Sequence, residues 1–180
     1  MRLFVGLRPS DAALADLAGY LPRIGLDGAR PTGRQTWHLT LAFIGELDDR
    51  RVEDVSAALT ALSRTTAGFA LRLAGGTVLG RTSTALCVGT DGDTTALTAL
   101  AERVRTGLRR SGVPFDERPF KPHLTVARPK DLSPAEVQAK VDALGGYNGP
   151  SWRAEKLVLY RSHPGPPVRY EALERFPLRG

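Results

Sequence analysis

Two of the three histidines in this 180-residue chain open nearly the same string. One copy reads Trp37-His38-Leu39-Thr40-Leu41-Ala42-Phe43-Ile44-Gly45, and the other Pro122-His123-Leu124-Thr125-Val126-Ala127-Arg128. They stand 85 positions apart, close to half the chain. An imidazole titrates near pH 6.5, so a pair of them can supply both a base and an acid at neutral pH. Alternate side chains of a strand share a face. The pattern therefore places His38, Thr40 and Ala42 together, opposite Leu39, Leu41 and Phe43. Likewise it places His123, Thr125 and Ala127 opposite Leu124 and Val126. If both polar faces line one cleft, two imidazoles and two hydroxyls surround one small group, and a phosphodiester fits them. One neutral histidine takes a proton from water, and one protonated histidine gives a proton to the leaving oxygen. The threonine hydroxyls then meet the charge that grows on the non-bridging oxygens.

Other chemistries find less support. The single cysteine, Cys87, sits in the apolar run Thr84-Ala85-Leu86-Cys87-Val88-Gly89 and reads as a buried thiol rather than a nucleophile. No His/Cys/Asp cluster has metal-ligand spacing, and no glycine-rich phosphate loop is present, so neither metal nor cofactor is expected. The third histidine, His163, lies in the proline-rich string Ser162-His163-Pro164-Gly165-Pro166-Pro167, which reads as a turn with a surface histidine. The net charge is +6 and the isoelectric point about 10.0. Most of the cations are arginines, and lysines occur only as Lys121, Lys130, Lys140 and Lys156. Arginine's planar fork suits phosphate oxygens, so a basic surface of this kind points toward nucleotides or nucleic acid. No apolar stretch approaches the roughly 20 residues of a membrane span. The opening residues are too short an apolar run for a signal peptide. A cytoplasmic location is the expectation.

The elements that must position the motifs follow from periodicity and caps. Strands are expected at Arg2–Leu7, 35–44, 69–78, 84–90, 123–127, 153–160 and 168–178. The strands 69–78 and 84–90 are expected to join through Gly80-Arg81-Thr82. Ser10 can cap a helix carrying Leu14, Leu17, Ala18 and Leu21, which ends by Gly28. Asp48 or Asp49 can cap a second, with Val52, Val55, Leu59 and Leu62 inward. A third runs over Thr94–Arg110, burying Leu97, Leu100, Val104 and Leu108. The fourth start is the most fully specified: Ser133 as cap, Pro134 at the first position, Glu136 closing a capping box, and Leu132 poised against Val137. The order implies an α+β fold of two pseudo-symmetric lobes around a central cleft. Each lobe is a mainly antiparallel sheet with helices on its outer face, and residues 1–180 form one domain.

The doubled His-x-Thr-x pattern in a chain of this length resembles the 2H phosphoesterases. Within them it is similar to the bacterial and archaeal RNA 2′,3′-cyclic phosphodiesterases, historically named 2′-5′ RNA ligases. Arg2-Leu3-Phe4-Val5-Gly6-Leu7, Phe120-Lys121, Leu157-Val158-Leu159-Tyr160 and Tyr170-Glu171-Ala172-Leu173 extend the resemblance over nearly the whole chain. It implies a metal-independent, monomeric hydrolase with no cofactor. The expected partners are RNA ends or nucleotides bearing a 2′,3′-cyclic phosphate, opened to a 2′-phosphomonoester, with 2′-5′ ligation as the reverse reaction. It makes His38 the proton donor and His123 the acceptor, where the residues alone left the two roles open. Thr40 and Thr125 become phosphate ligands, and Arg128 takes the family's arginine position, although strict alternation turns it to the apolar face. Phe4 is either a base-stacking ring or a core residue. Lys121 is either a phosphate neutraliser or a solvated lysine. Two rival readings remain: a phosphodiesterase for a small cyclic nucleotide or 2′-5′ oligonucleotide, and a non-catalytic module that binds RNA ends.

Overall fold

The computed structural model describes residues 1–79 and 85–180. The expected connection at Gly80-Arg81-Thr82 lies outside the described residues. Among these residues the chain forms strands β1 (Arg2–Leu7), β2 (Ala29–Pro31), β3 (Leu39–Glu46), β4 (Phe69–Leu79), β5 (Ala85–Gly92), β6 (Leu124–Pro129), β7 (Trp152–Ala154), β8 (Lys156–His163) and β9 (Arg169–Pro177). The helices are α1 (Asp11–Tyr20), α2 (Val52–Ser63), α3 (Thr94–Arg110) and α4 (Pro134–Leu144). The strands build two sheets, β3-β1-β8-β9 and β2-β6-β5-β4-β7, with every pairing antiparallel. This is the expected two-sheet α+β architecture. Its first surprise is an exchange of helices. α2 and α3 cover the sheet that holds β1 and β3, whereas α1, which follows β1 directly, crosses to join α4 on the other sheet. The halves are thus interlocked, and one continuous apolar core holds Leu14, Leu39, Leu59, Leu97 and Leu124 together.

The helices start where side-chain caps offer acceptors to orphan amides. Ser10 accepts from Ala13, Asp93 from Ala96, and Ser133 with Glu136 forms the full capping box. Asp48 caps a 3₁₀ turn at Asp49–Arg51 that leads into α2. α3 buries Leu97, Leu100, Val104 and Leu108 on one side, as its spacing requires.

Three expectations need correction, and one strand is new. The first motif strand does not begin at residue 35: Arg34–Thr36 is a 3₁₀ turn, and β3 starts at Leu39, one residue after His38. The run 153–160 is two strands in different sheets, β7 pairing with β4 and β8 with β1. Glu155 and Lys156 are both exposed, which breaks the period of two where the chain changes sheets. β2, three residues with a proline, is a strand the sequence reading did not include, and it pairs with β6. His163 is the last residue of β8 rather than part of a turn, and its Nε2 lies 2.8 Å from the Glu171 carboxylate on β9.

Candidate active site

Each motif histidine sits at the mouth of a strand whose next residue is an anchor. Leu39 and Leu124 are both fully buried, and shortening such a leucine to alanine costs about 2–5 kcal/mol. With the leucine pinned inward, His38 and Thr40 face the opposite way, as do His123 and Thr125.

The next residues depart from alternation, and they do so in the same way in both copies. Gly6 lies opposite Thr40 and Val5 opposite Ala42, so Leu41 is an extra residue, a β-bulge. Cys87 lies opposite Thr125 and Leu86 opposite Ala127, so Val126 is the matching bulge. A bulge flips the parity of all that follows. Ala42 and Ala127 therefore turn into the core, at 4% and 0% exposure, against the expectation that they shared the histidine face. Phe43 and Arg128 swing the other way. Both line a cavity of about 380 Å³ together with His38, Thr40, Arg2 and Tyr170. The pseudo-symmetry thus pairs Phe43 with Arg128 and brings the arginine to the cleft that alternation denied it. A second cavity of about 310 Å³ shares Thr40 and Phe43 and is lined by His123, Lys121 and Phe120. The two motifs therefore open onto adjoining space.

The imidazoles are held in one orientation. His38 Nδ1 lies 2.6 Å from the Thr36 carbonyl and His123 Nδ1 2.6 Å from the Lys121 carbonyl. A carbonyl only accepts, so each Nδ1 carries a hydrogen and each Nε2 is left for chemistry. His38 Nε2 lies 2.9 Å from the Thr40 hydroxyl. Burial pushes His38 from 6.5 down to about 4; the Thr36 carbonyl works against that drop and His123 adds to it. Burial also lowers His123, with the Lys121 carbonyl opposing and the Lys121 ammonium reinforcing the shift. Both rings are therefore neutral at pH 7 before an anion arrives.

Phe4 stacks on His38 at 4.6 Å between centroids and is 2% exposed. Its ring supports the histidine and packs on Tyr160 and Tyr170, with no open face for a base. Lys121 is exposed and donates to the Val78 carbonyl at 3.2 Å. Cys87 is buried as expected, yet its Sγ lies 3.5 Å from the Thr125 hydroxyl, directly beneath the second motif. Its counterpart beneath the first motif is Gly6, where a Cβ would stand 2.8 Å from the Leu39 carbonyl oxygen and 3.6 Å from the His38 ring.

Three contributors were not assigned to the site from the sequence. Tyr170 meets His38 edge-on at 5.1 Å. Arg105 on α3, 5% exposed, donates to the carbonyls of Asp116 and Arg118 and so clamps the irregular segment that leads to His123. Thr32 ties the motifs together. It accepts from the Trp37 indole at 2.9 Å and donates to the Thr125 carbonyl at 2.8 Å, and its amide donates to the Val126 carbonyl. One threonine thus links the residue before His38 to the strand after His123. Thr32→Val removes both side-chain bonds and leaves a buried indole N–H unpaired, at a cost of about 1–3 kcal/mol. Thermal denaturation is expected to show a fall in Tm of roughly 2–10 °C, and steady-state assay a lower kcat. An unchanged kcat would mean that the bridge does not set the spacing of the two histidines.

The likeness to known proteins agrees with this geometry. Residues 10–166 match the family model of the 2′-5′ RNA ligase superfamily. Two relatives are each named RNA 2′,3′-cyclic phosphodiesterase. One, from Geobacillus stearothermophilus, is 31% identical over 81% of this chain, which spans 46% of that relative. The other, from Thermus thermophilus, is 32% identical over 85% of this chain and 77% of its own length. A Thermus thermophilus crystal structure superimposes with a TM-score of 0.78 at 30% identity, covering 100% of this chain and 99% of that one. Escherichia coli LigT in complex with 3′-AMP shares the fold, with a TM-score of 0.80 at 24% identity, covering 99% of this chain and 98% of that one.

Proposed function

Because the chain belongs to the 2′-5′ RNA ligase superfamily, we propose that it hydrolyses RNA 2′,3′-cyclic phosphate ends to 2′-phosphomonoesters, with the two motif histidines moving the protons. The observation that carries this is the matched pair of imidazoles: each is fixed through Nδ1 on a carbonyl, and each has a threonine hydroxyl on its own face of the strand. A module that only bound RNA ends would have no need for two proton carriers. Relatives named RNA 2′,3′-cyclic phosphodiesterase support the substrate class.

In this reading the cyclic phosphate sits between the motifs. His123 Nε2 takes a proton from a water molecule whose oxygen attacks phosphorus. The bond from phosphorus to the 3′ oxygen breaks, and that oxygen takes a proton from His38 Nε2. Thr40, Thr125 and Arg128 face the non-bridging oxygens as negative charge builds there. Residues 1–180 act as one unit, since each half supplies one histidine. The site is tested by incubation with a nucleoside 2′,3′-cyclic phosphate in excess chelator, identifying the product isomer. The expected product is the 2′-phosphate, and a 3′-phosphate would overturn the assignment of the leaving oxygen.

The pH dependence follows from the shifts. His38 gains a proton only near pH 4 in the free protein, and His123 below 6.5. The active form, His38 charged and His123 neutral, is one of the two singly protonated states, whose combined population peaks on the acid side of pH 6.5. The profile of kcat/KM is expected to be a bell centred there, and its two limbs belong to the coupled pair. A bound phosphate anion favours the charged imidazolium and raises both values. The bell for kcat is accordingly displaced toward higher pH. Rates that climb steadily to pH 9 in both profiles would mean hydroxide attack and would remove the donor role from His38.

A further inference from the structure

Beside His38, a cavity of about 430 Å³ is bounded by Arg8, Lys156, Arg175, Tyr160 and Tyr170 together with His38 itself. The strand register brings these cations together. Gly6, beneath the first motif, lies opposite Val158, and Val158 lies opposite Arg175. Arg8 follows Gly6 by two residues and Lys156 precedes Val158 by two, so the alternation of side chains sends both to this cavity. The one carboxylate at the rim, Asp11, is taken by Arg8 at 3.0 Å. Lys156 and Arg175 are exposed and have no carboxylate partner among the described residues. The Tyr160 phenol lines the same cavity; burial raises its pKa, while the charges of Arg8 and Arg175 pull it the other way. A concave site with three cations, one exposed carboxylate and a phenol donor is built for an anion larger than chloride.

We propose that Arg8, Lys156, Arg175 and the Tyr160 hydroxyl form a second phosphate subsite, which holds the phosphate on the 5′ oxygen of the nucleoside whose cyclic phosphate is opened at His38 and His123. This rests on the phosphodiesterase reading of the histidine site and adds a substrate preference to it. In an RNA strand that group is the internucleotide phosphate, and in a mononucleotide it is a terminal 5′-phosphate. The chemistry of recognition is shared, since both present anionic oxygens to guanidinium, ammonium and phenol. The subsite makes the protein an enzyme for strand ends rather than for free cyclic nucleosides.

The test compares kcat/KM for three substrates: a nucleoside 2′,3′-cyclic phosphate with a free 5′ hydroxyl, the same compound carrying a 5′-phosphate, and a dinucleotide ending in the cyclic phosphate. The unaltered protein is expected to favour the second and third by about tenfold or more, the scale of a charge-assisted phosphate contact. A preference for the dinucleotide over the 5′-phosphorylated compound marks the strand as the source; the reverse order marks the monoester. In K156A/R175A the preference is expected to fall to about twofold, while kcat/KM for the free 5′ hydroxyl compound stays within about twofold. Equal activity of the unaltered protein on all three substrates, or an equal loss on all three in the variant, would overturn the subsite. Should none of the substrates be opened, the reading of the histidine site fails instead. The subsite is then decided by calorimetric binding of the dinucleotide: weaker binding to K156A/R175A supports it, and unchanged binding overturns it.

Discussion

His38→Ala and His123→Ala are each expected to lower kcat on a nucleoside 2′,3′-cyclic phosphate by roughly 10²–10⁴-fold, the scale of a lost general acid or base. The expected effect on KM is smaller, because Thr40, Thr125 and Arg128 also face the phosphate and remain in both variants. Both imidazoles are driven neutral by burial, so their contribution is to the transfer of protons once the phosphate is in place. The two variants need not match in size. His38 is wedged between Phe4, Tyr170 and Thr40, and its removal also leaves the Thr40 hydroxyl without its ring partner. His123 is held more simply, by the Lys121 carbonyl. Circular dichroism and a melting curve separate loss of fold from loss of chemistry. A folded variant with an unaltered rate would end the assignment of that histidine.

Much of this site is legible in the sequence because its logic is local. His-x-Thr on a strand puts both polar groups on one face whatever the fold, and a buried leucine between them fixes which face. The caps at Ser10 and Ser133 and the apolar spacing of α3 are equally local, and all three helices start where those signals stand. What escaped is register. The bulges at Leu41 and Val126 depend on how β3 meets β1 and how β6 meets β5, and no residue type at those positions announces them. They decide that Arg128 reaches the cleft and that Ala42 does not. The division of 153–160 between two sheets had a signal, two consecutive exposed polar residues at Glu155 and Lys156, which a strict period-two reading passes over. Long-range hydrogen bonds such as that of Thr32 to the Thr125 carbonyl span 93 residues and leave no trace in local pattern.

The second large effect concerns the threonines. Thr40→Val and Thr125→Val remove a hydroxyl and keep the side chain's approximate shape on the strand. If the hydroxyls meet charge that develops on the non-bridging oxygens, each variant is expected to lose roughly 10²–10³ in kcat and much less in substrate affinity. The serine variants, which keep the hydroxyl, are expected to recover most of the rate. The local contacts differ, and so do the secondary effects. Thr40 also engages His38 Nε2, so its valine variant is expected to alter the pH profile as well as the rate. Thr125 rests on the Cys87 thiol, so its valine variant is expected to leave the profile in place. Weakened affinity at constant kcat would make the threonines binding groups only, and no change in either quantity would make them strand residues.

The central claim is that two imidazoles act as one unit on a single phosphate. Its most direct test is the rate of 2′,3′-cyclic phosphate opening in four proteins under one set of conditions: the unaltered chain, His38→Ala, His123→Ala and the double variant. Groups that work as a unit are strongly non-additive. The double variant is therefore expected to be little slower than the slower single variant. A double variant slower by the full product of the two single losses would show two independent contributions and contradict the paired mechanism.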